Sequence, residues 1–313
     1  MIQSNWGKYL GDWLSAAGLS DSVRLTISKR LGLAKMSIYH TRSIIEDCRS
    51  MLTGGISAGI TIWETSIVPK LLYNSECWLE ISKSSLQQLE SVQLQFMRVL
   101  LAVGQGCPKP ALYWDTGIIM MKYRILKNKL LFLHHLGNLS DDSLAKEVYK
   151  NQKDLNLPGL FQECSQFLTE FGILDVQGFS KFQWKKFVNK KISQLNKIEI
   201  LENIKSYKKL NINDFENQDF CQQTYLKQMD VRKARLYFKI KTHMTPTVKM
   251  NFKNNLTFKS QLWMCDGCNK NQDTQNHILS CSAYEDIRKN LDMDSEHDLV
   301  EFFSLVIRRQ QTT

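Results

Sequence analysis

Cys265, Cys268, His277 and Cys281 follow the spacing Cys-x2-Cys, eight residues, His, three residues, Cys. No other feature limits so tightly what the chain can become. The pair Cys265–Cys268 belongs to a tight turn that points both sulfurs at one place, and Gly267 supplies the backbone angle such a turn asks for. His277 and Cys281 are four apart, so on a helix they share one face. Four soft or borderline donors with no open position describe a closed, structural zinc site holding one Zn2+. The other five cysteines (48, 77, 107, 164 and 221) are scattered, as expected of buried thiols in a reducing compartment rather than a disulfide framework. The first residues lack the basic start and apolar core of a secretory signal. No apolar run approaches the ~18–20 residues needed to cross a bilayer. A soluble, intracellular chain without a membrane partner is expected.

Glycine (15) and proline (5) are scarce in these 313 residues, and most of the chain carries helical spacing. Residues 8–10 read as a short strand entering a turn at Gly11. Val23, Ile27, Leu31, Ala34 and Ile38 form one face of a helix from Ser20, which Gly32 weakens without ending. A second helix from about Ser57 carries Ile60, Trp63, Ile67 and Leu71, with Pro69 as a break or kink. A third, capped by Ser85 and Gln88, runs to the breaker Gly104–Pro108. A fourth covers 118–136, and 137–159 reads as a polar connector. Helices are expected at 160–170, 181–206 and 218–241, and a short one at Leu299–Arg309. The fold class is mainly α. Residues 1–137 make a helical domain, 138–255 a basic helical region, and 256–313 a small zinc module with a terminal helix.

The net charge of +10 is not evenly spread. Residues 181–253 hold 17 Lys/Arg against 6 Asp/Glu, whereas 256–313 hold 6 against 9. A concentrated basic excess is what a polyanion-binding surface needs. Within it, Lys185, Lys186, Lys190 and Lys191 interleave with Phe182, Trp184 and Phe187, and on a later helix Arg232, Arg235 and Lys239 share a face. These seven are the candidate contacts to RNA or DNA. Affinity through them would come from phosphate neutralisation, salt-dependent and weakly sequence-specific.

Taken in order, several segments resemble the C-terminal part of a LINE-type non-LTR retrotransposon reverse transcriptase. Lys8 to Gly11 looks like the strand that closes the polymerase palm. Val68 to Glu76 followed by Trp78 resembles the thumb signature P-x-L-x-Y-G-x-E-x-W, with Asn74 in place of the commoner glycine. Leu89-Glu90-Ser-Val-Gln93 is similar to the L-E-x-x-Q of the following helix, Asp115-Thr-Gly117 to an E-T-G stretch, and the terminal cluster to the CCHC element. The resemblance implies a thumb-like helical domain at 1–137. It also implies template RNA or target DNA as partner, together with the palm and fingers of a parent polymerase. Action would be in the nucleus or in a cytoplasmic ribonucleoprotein.

The aspartate pair that performs nucleotidyl transfer in that family would lie upstream of Lys8, and two-metal chemistry needs clustered carboxylates. The only adjacent aspartates, Asp141 and Asp142, sit in the polar connector and read as helix caps. His134 and His135 lie in an apolar helical stretch and read as structural. The expectation is therefore a non-enzymatic, nucleic-acid-binding fragment with a structural zinc. The alternative is a zinc-stapled protein-interaction module without nucleic-acid binding, for which the acidic zinc region speaks.

Overall fold

A computed structural model of the chain describes residues 6–47, 53–207, 220–245, 267–270 and 274–312, with Leu210, Phe215, Met264 and Cys265 between them. The fold is mainly α. Its one sheet among these residues is an antiparallel hairpin, β1 (Trp6–Tyr9) and β2 (Asp12–Ser15), with Gly7 opposite Leu14 and Lys8 opposite Trp13. Gly11 takes a left-handed φ of 89° at the tip, an angle open to a residue without Cβ.

Helix α1 (Leu19–Asp47) passes through Gly32 unbroken, and its expected apolar face is buried. Next come α2 (Gly55–Ile62) and α3 (Val68–Leu71), joined by one wide π turn at Trp63–Ile67. Proline has no N–H, and its ring collides with the carbonyl four residues back. Ahead of Pro69 the bonding therefore widens, and the Val68 amide donates to the Trp63 carbonyl five residues earlier. The expected kink is a π bulge. Helix α4 (Lys83–Leu101) is capped by Ser82, whose hydroxyl accepts from the Ser85 amide at 3.1 Å. The cap is thus three residues earlier than expected, and Ser85 lies buried inside the first turn.

Helix α5 (Lys109–Thr116) occupies a stretch with no expected element. Pro110 to Thr116 are all buried, so no amphipathic stripe marks it. Helix α6 spans Met121–Gly137. The expected connector contains a helix, α7 (Leu144–Asp154), with Tyr149 as its one buried residue. Helix α8 (Leu160–Glu170) follows, and then α9 (Lys181–Lys205), begun by a capping box of Ser180 and Gln183. The single helix expected at 218–241 is two: α10 (Thr224–Gln228) and α11 (Val231–Lys241). Asp230 ends the first by capping the second, accepting from the amides of Arg232 and Lys233. Three further helices, α12 (Gln275–Ser280), α13 (Glu285–Arg288) and α14 (Glu296–Thr312), close the order.

Three apolar cores are present. The first gathers α1 to α6 with the C-terminal half of α9, α10 and α11. The second lies between α6, α7, α8 and the first half of α9, around Trp184, whose indole N–H donates to the Leu130 carbonyl at 2.8 Å. The third holds Cys265, Ile278, Cys281 and Tyr284 against Val300, Phe302, Phe303 and Val306 of α14. Helix α9 crosses from the second core to the first, and Ile240 at the end of α11 enters the third. Among the described residues, no helix is long and apolar enough to cross a membrane.

Candidate metal centre and basic helices

The four expected metal ligands converge. One donor atom from each of Cys265, Cys268, His277 and Cys281 lies within 4.8 Å of every other, so the cluster could hold a metal ion. Cys265 and Cys281 sulfurs are 3.8 Å apart and Cys268 Sγ is 3.3 Å from His277 Nε2. The first distance is nearly twice that of a disulfide, at about 2.05 Å.

The turn is built differently from the expectation. Gly267 lies outside the left-handed range of φ; Asn269 lies in it, at 52°. The turn closes with the Asn269 amide on the Cys265 carbonyl at 2.8 Å, and the Lys270 amide points to Cys268 Sγ at 3.5 Å. Glycine is needed at 267 for space. A Cβ there would stand 2.8 Å from Ala283 Cβ and 2.9 Å from the Tyr284 ring. On the other side, Thr274 caps α12 by accepting from the His277 amide at 3.2 Å. Cys281 has left the helix, with φ −66° and ψ 129°, so it shares no helical face with His277 and reaches the cluster from the chain just beyond. Burial pushes the Cys281 thiol up to about 11, so the metal-free site holds a proton that a metal must displace. Arg309 of α14 fastens the turn after Cys281, donating to the Ala283 carbonyl and forking onto both oxygens of Asp286.

Of the scattered cysteines, Cys107 and Cys164 are buried thiols, whereas Cys77 and Cys221 are exposed. Cys48 lies outside the described residues, as does Trp263.

On α9, Trp184 and Val188 are buried and Lys185, Lys186 and Lys190 are exposed. None of these three lysines has an ion-pair partner among the described residues. Lys191 is half-buried and lies 4.5 Å from the Phe171 ring centroid and 5.8 Å from that of Phe187, a cation–π arrangement. On α6, Lys127 is half-buried. Desolvation first, then the charges of Arg124 and Lys185, pull its pKa down, with Glu64 opposing. Sequence reasoning missed Lys127, because its α6 neighbours are mostly apolar and the convergence is tertiary.

Helix α11 corrects the second basic face. Arg232 is exposed, but Arg235 is buried, donating from Nε to the Leu100 carbonyl (2.9 Å) and from Nη1 to Glu46 (2.8 Å). Its position faces the first core, where the apolar neighbours Val231, Ala234 and Phe238 also point, so it offers nothing to a surface phosphate. Lys239 is half-buried, with its pKa drawn down by desolvation and by Arg235.

His134 is buried, with Nε2 at 2.8 Å from the Phe179 carbonyl and its ring stacked on Trp184. Asp141 is exposed and pairs with Lys146 and Lys150. Two motif segments widely separated in sequence meet through Arg30. Its guanidinium donates to the Gly11 carbonyl (3.0 Å), to Asp12 (2.6 Å) and to the Tyr73 carbonyl, and it lies over the Tyr73 and Trp78 rings. Asn74 donates to the other Asp12 oxygen at 2.9 Å. No protein-family model, curated protein or solved structure matches the chain.

Proposed function

We propose that this chain is the nucleic-acid-holding C-terminal part of a LINE-type reverse transcriptase, carrying one structural zinc and no polymerase centre of its own. The observation that carries the nucleic-acid reading is the row Lys185, Lys186 and Lys190 on α9, exposed and without an ion-pair partner among the described residues, with Lys127 of α6 near enough to feel the charge of Lys185. Like charges brought together repel, and a phosphate backbone relieves that repulsion while releasing its own counterions. The partner is template RNA or target DNA, and the place of action is the nucleus.

Position 74 supports the resemblance. Asn74 has φ 55°, a left-handed angle. The related thumb signature carries glycine there, and asparagine is the residue that best tolerates the same angle. The hairpin tip and this segment are also clamped together by Arg30, so two segments of the resemblance form one unit.

The cluster fits zinc. A tetrahedral ion with Zn–S of about 2.3 Å sets two sulfurs about 3.8 Å apart and a sulfur and a nitrogen about 3.5 Å apart. The observed 3.8 and 3.3 Å agree. Bound there, zinc would supply a closed staple through Cys265, Cys268, His277 and Cys281. Metal analysis of the purified protein should return one zinc per chain.

The test of the main reading is an anisotropy titration with a structured RNA and a DNA duplex. Binding should weaken steeply with salt, and replacing Lys185, Lys186 and Lys190 with Gln should flatten the log–log salt slope by about 2–3. Absence of salt-dependent binding at low ionic strength overturns the reading.

A further inference from the structure

A cleft of about 610 Å³ lies where the C-terminal ends of α1 and α4 meet, lined among others by Arg42, Glu46, Ser91, Gln95 and Arg98. Its charge is lopsided. Glu46 is the acidic group in the lining, and its Oε1 already accepts from Arg235 Nη1 at 2.8 Å. Arg42 is exposed and has no hydrogen-bond or ion-pair partner among the described residues. Arg98 is half-buried, and its Nε is buried without a hydrogen-bond acceptor.

An arginine in the last turn of a helix ordinarily serves the helix's own unpaired carbonyls. That role is filled here by other donors. The Val103 amide donates to the Arg98 carbonyl at 3.0 Å, the Ala102 amide to Val99 at 3.3 Å, and Arg235 Nε to Leu100 at 2.9 Å. Arg98 is thus held beside a capped helix end, its buried Nε without an acceptor among the described residues. Arg42 and Arg98 line one cleft, and the planar N–H fork of a guanidinium suits the oxygens of a phosphate.

We propose that this cleft is a second phosphate-binding site, with Arg42 and Arg98 as the ligands of a phosphodiester group. The proposal rests on the nucleic-acid reading above, because the polymer supplies the phosphate. The site is separate from the lysine row. It lies on α1 and α4 rather than α6 and α9, so the two together define a path for the strand across the first and second cores. Ser91 and Gln95, on the same side of α4 as Arg98, supply neutral hydrogen-bonding groups for the sugar–phosphate on either side.

The experiment compares the full chain with Arg42→Gln, Arg98→Gln and their double variant, by anisotropy titration on one structured RNA over a salt series. Each single change should weaken binding several-fold, and the double should lower the salt slope by about 2. If the unsubstituted protein binds with a steep salt slope and the double variant binds identically, the cleft is not a phosphate site while the nucleic-acid reading stands. If the unsubstituted protein does not bind at any salt, that reading falls and this site with it. Thermal unfolding is followed in parallel. Should Arg98→Gln lose its fold, Arg42→Gln decides alone, since that side chain is exposed. Unchanged affinity in it overturns the proposal.

Discussion

Asp115 and Lys241, 126 residues apart, form an ion pair of 2.8 Å in which the carboxylate is completely buried. The other Asp115 oxygen accepts from the buried Tyr225 hydroxyl at 2.7 Å, and the Asp115 carbonyl accepts from the Gln223 amide. One aspartate at the end of α5 thereby fixes α10 and α11, and through α11 the approach to the metal module. Gly117, just beyond, is tight against the same segment: a Cβ there would stand 2.4 Å from the Gln222 nitrogen. Asp115→Ala leaves the Lys241 charge without its carboxylate, and breaking a buried pair at one end costs about 3–5 kcal/mol. Urea unfolding should show a loss of that order. The double change Asp115→Ala, Lys241→Met should recover part of it, since it removes both charges. Equal midpoints for Asp115→Ala and the native protein would remove this pair from the account of the fold.

Gly267 separates two explanations of a knuckle glycine. Its backbone does not use the left-handed region, whereas Asn269 does. If space is the requirement, Gly267→Ala drives Cβ into Ala283 and Tyr284, and zinc affinity measured by chelator competition should fall at least tenfold. Trimming the neighbour in Gly267→Ala, Ala283→Gly should restore part of it. A double variant no better than the single one would show that backbone angle, not contact, is what the glycine supplies.

What could be read from the residues follows where the determinants lie. The cluster of candidate metal ligands was legible because it is a local spacing of donor atoms. The helices α1, α4 and α9 were legible because each buries one face. Helix α5 was not, since burial on all sides erases the stripe, and α7 was not for the opposite reason, with Tyr149 its one buried residue. Arg235 shows the limit most clearly. By helical projection it shares a face with Arg232 and Lys239, but the Leu100 carbonyl and Glu46 that claim it lie 135 and 189 residues away. Arg98 was invisible for the same reason, since its lack of a partner exists only once α1, α4 and α11 are assembled.

Metal removal should loosen the third core in two stages. Zinc-finger peptides gain roughly 10–16 kcal/mol from their metal, and a module with little apolar core would unfold entirely without it. This module has an apolar core of its own, because Val300, Phe302, Phe303 and Val306 are all fully buried. Helix α14 also reaches α11 directly, with the Tyr237 hydroxyl on Glu296 at 2.9 Å. Cys268→Ser, or chelation, should therefore abolish amide exchange protection at residues 267–270 and 274–284 first, while α14 keeps protection on α11. Simultaneous loss in both segments would make the metal the determinant of the whole module. If the chain binds RNA as proposed, that affinity should change less than about twofold, because the lysine row and the arginine cleft belong to other cores.

Glu90 gives the fold a dependence on pH that can be isolated. Its carboxyl accepts from the Tyr113 hydroxyl and from the Met121 amide at 2.9 Å, at the edge of a cleft between α4, α5 and α9. Desolvation raises its pKa from the usual 4.5 to about 7, against the lowering effect of the Met121 amide and of Arg124 and Lys122. The folded state therefore holds this proton more tightly than the unfolded chain does. Stability is greatest below the unfolded value and falls as pH rises through the window from about 4.5 to 7. The loss attributable to this one group is at most about 3 kcal/mol. In Glu90→Gln the amide oxygen can still accept from Met121, while nothing ionises. The difference in unfolding free energy between native and variant should shift in favour of the variant between pH 5 and pH 8. Parallel pH profiles for the two proteins would mean that Glu90 ionises in the folded state as it does in the unfolded chain.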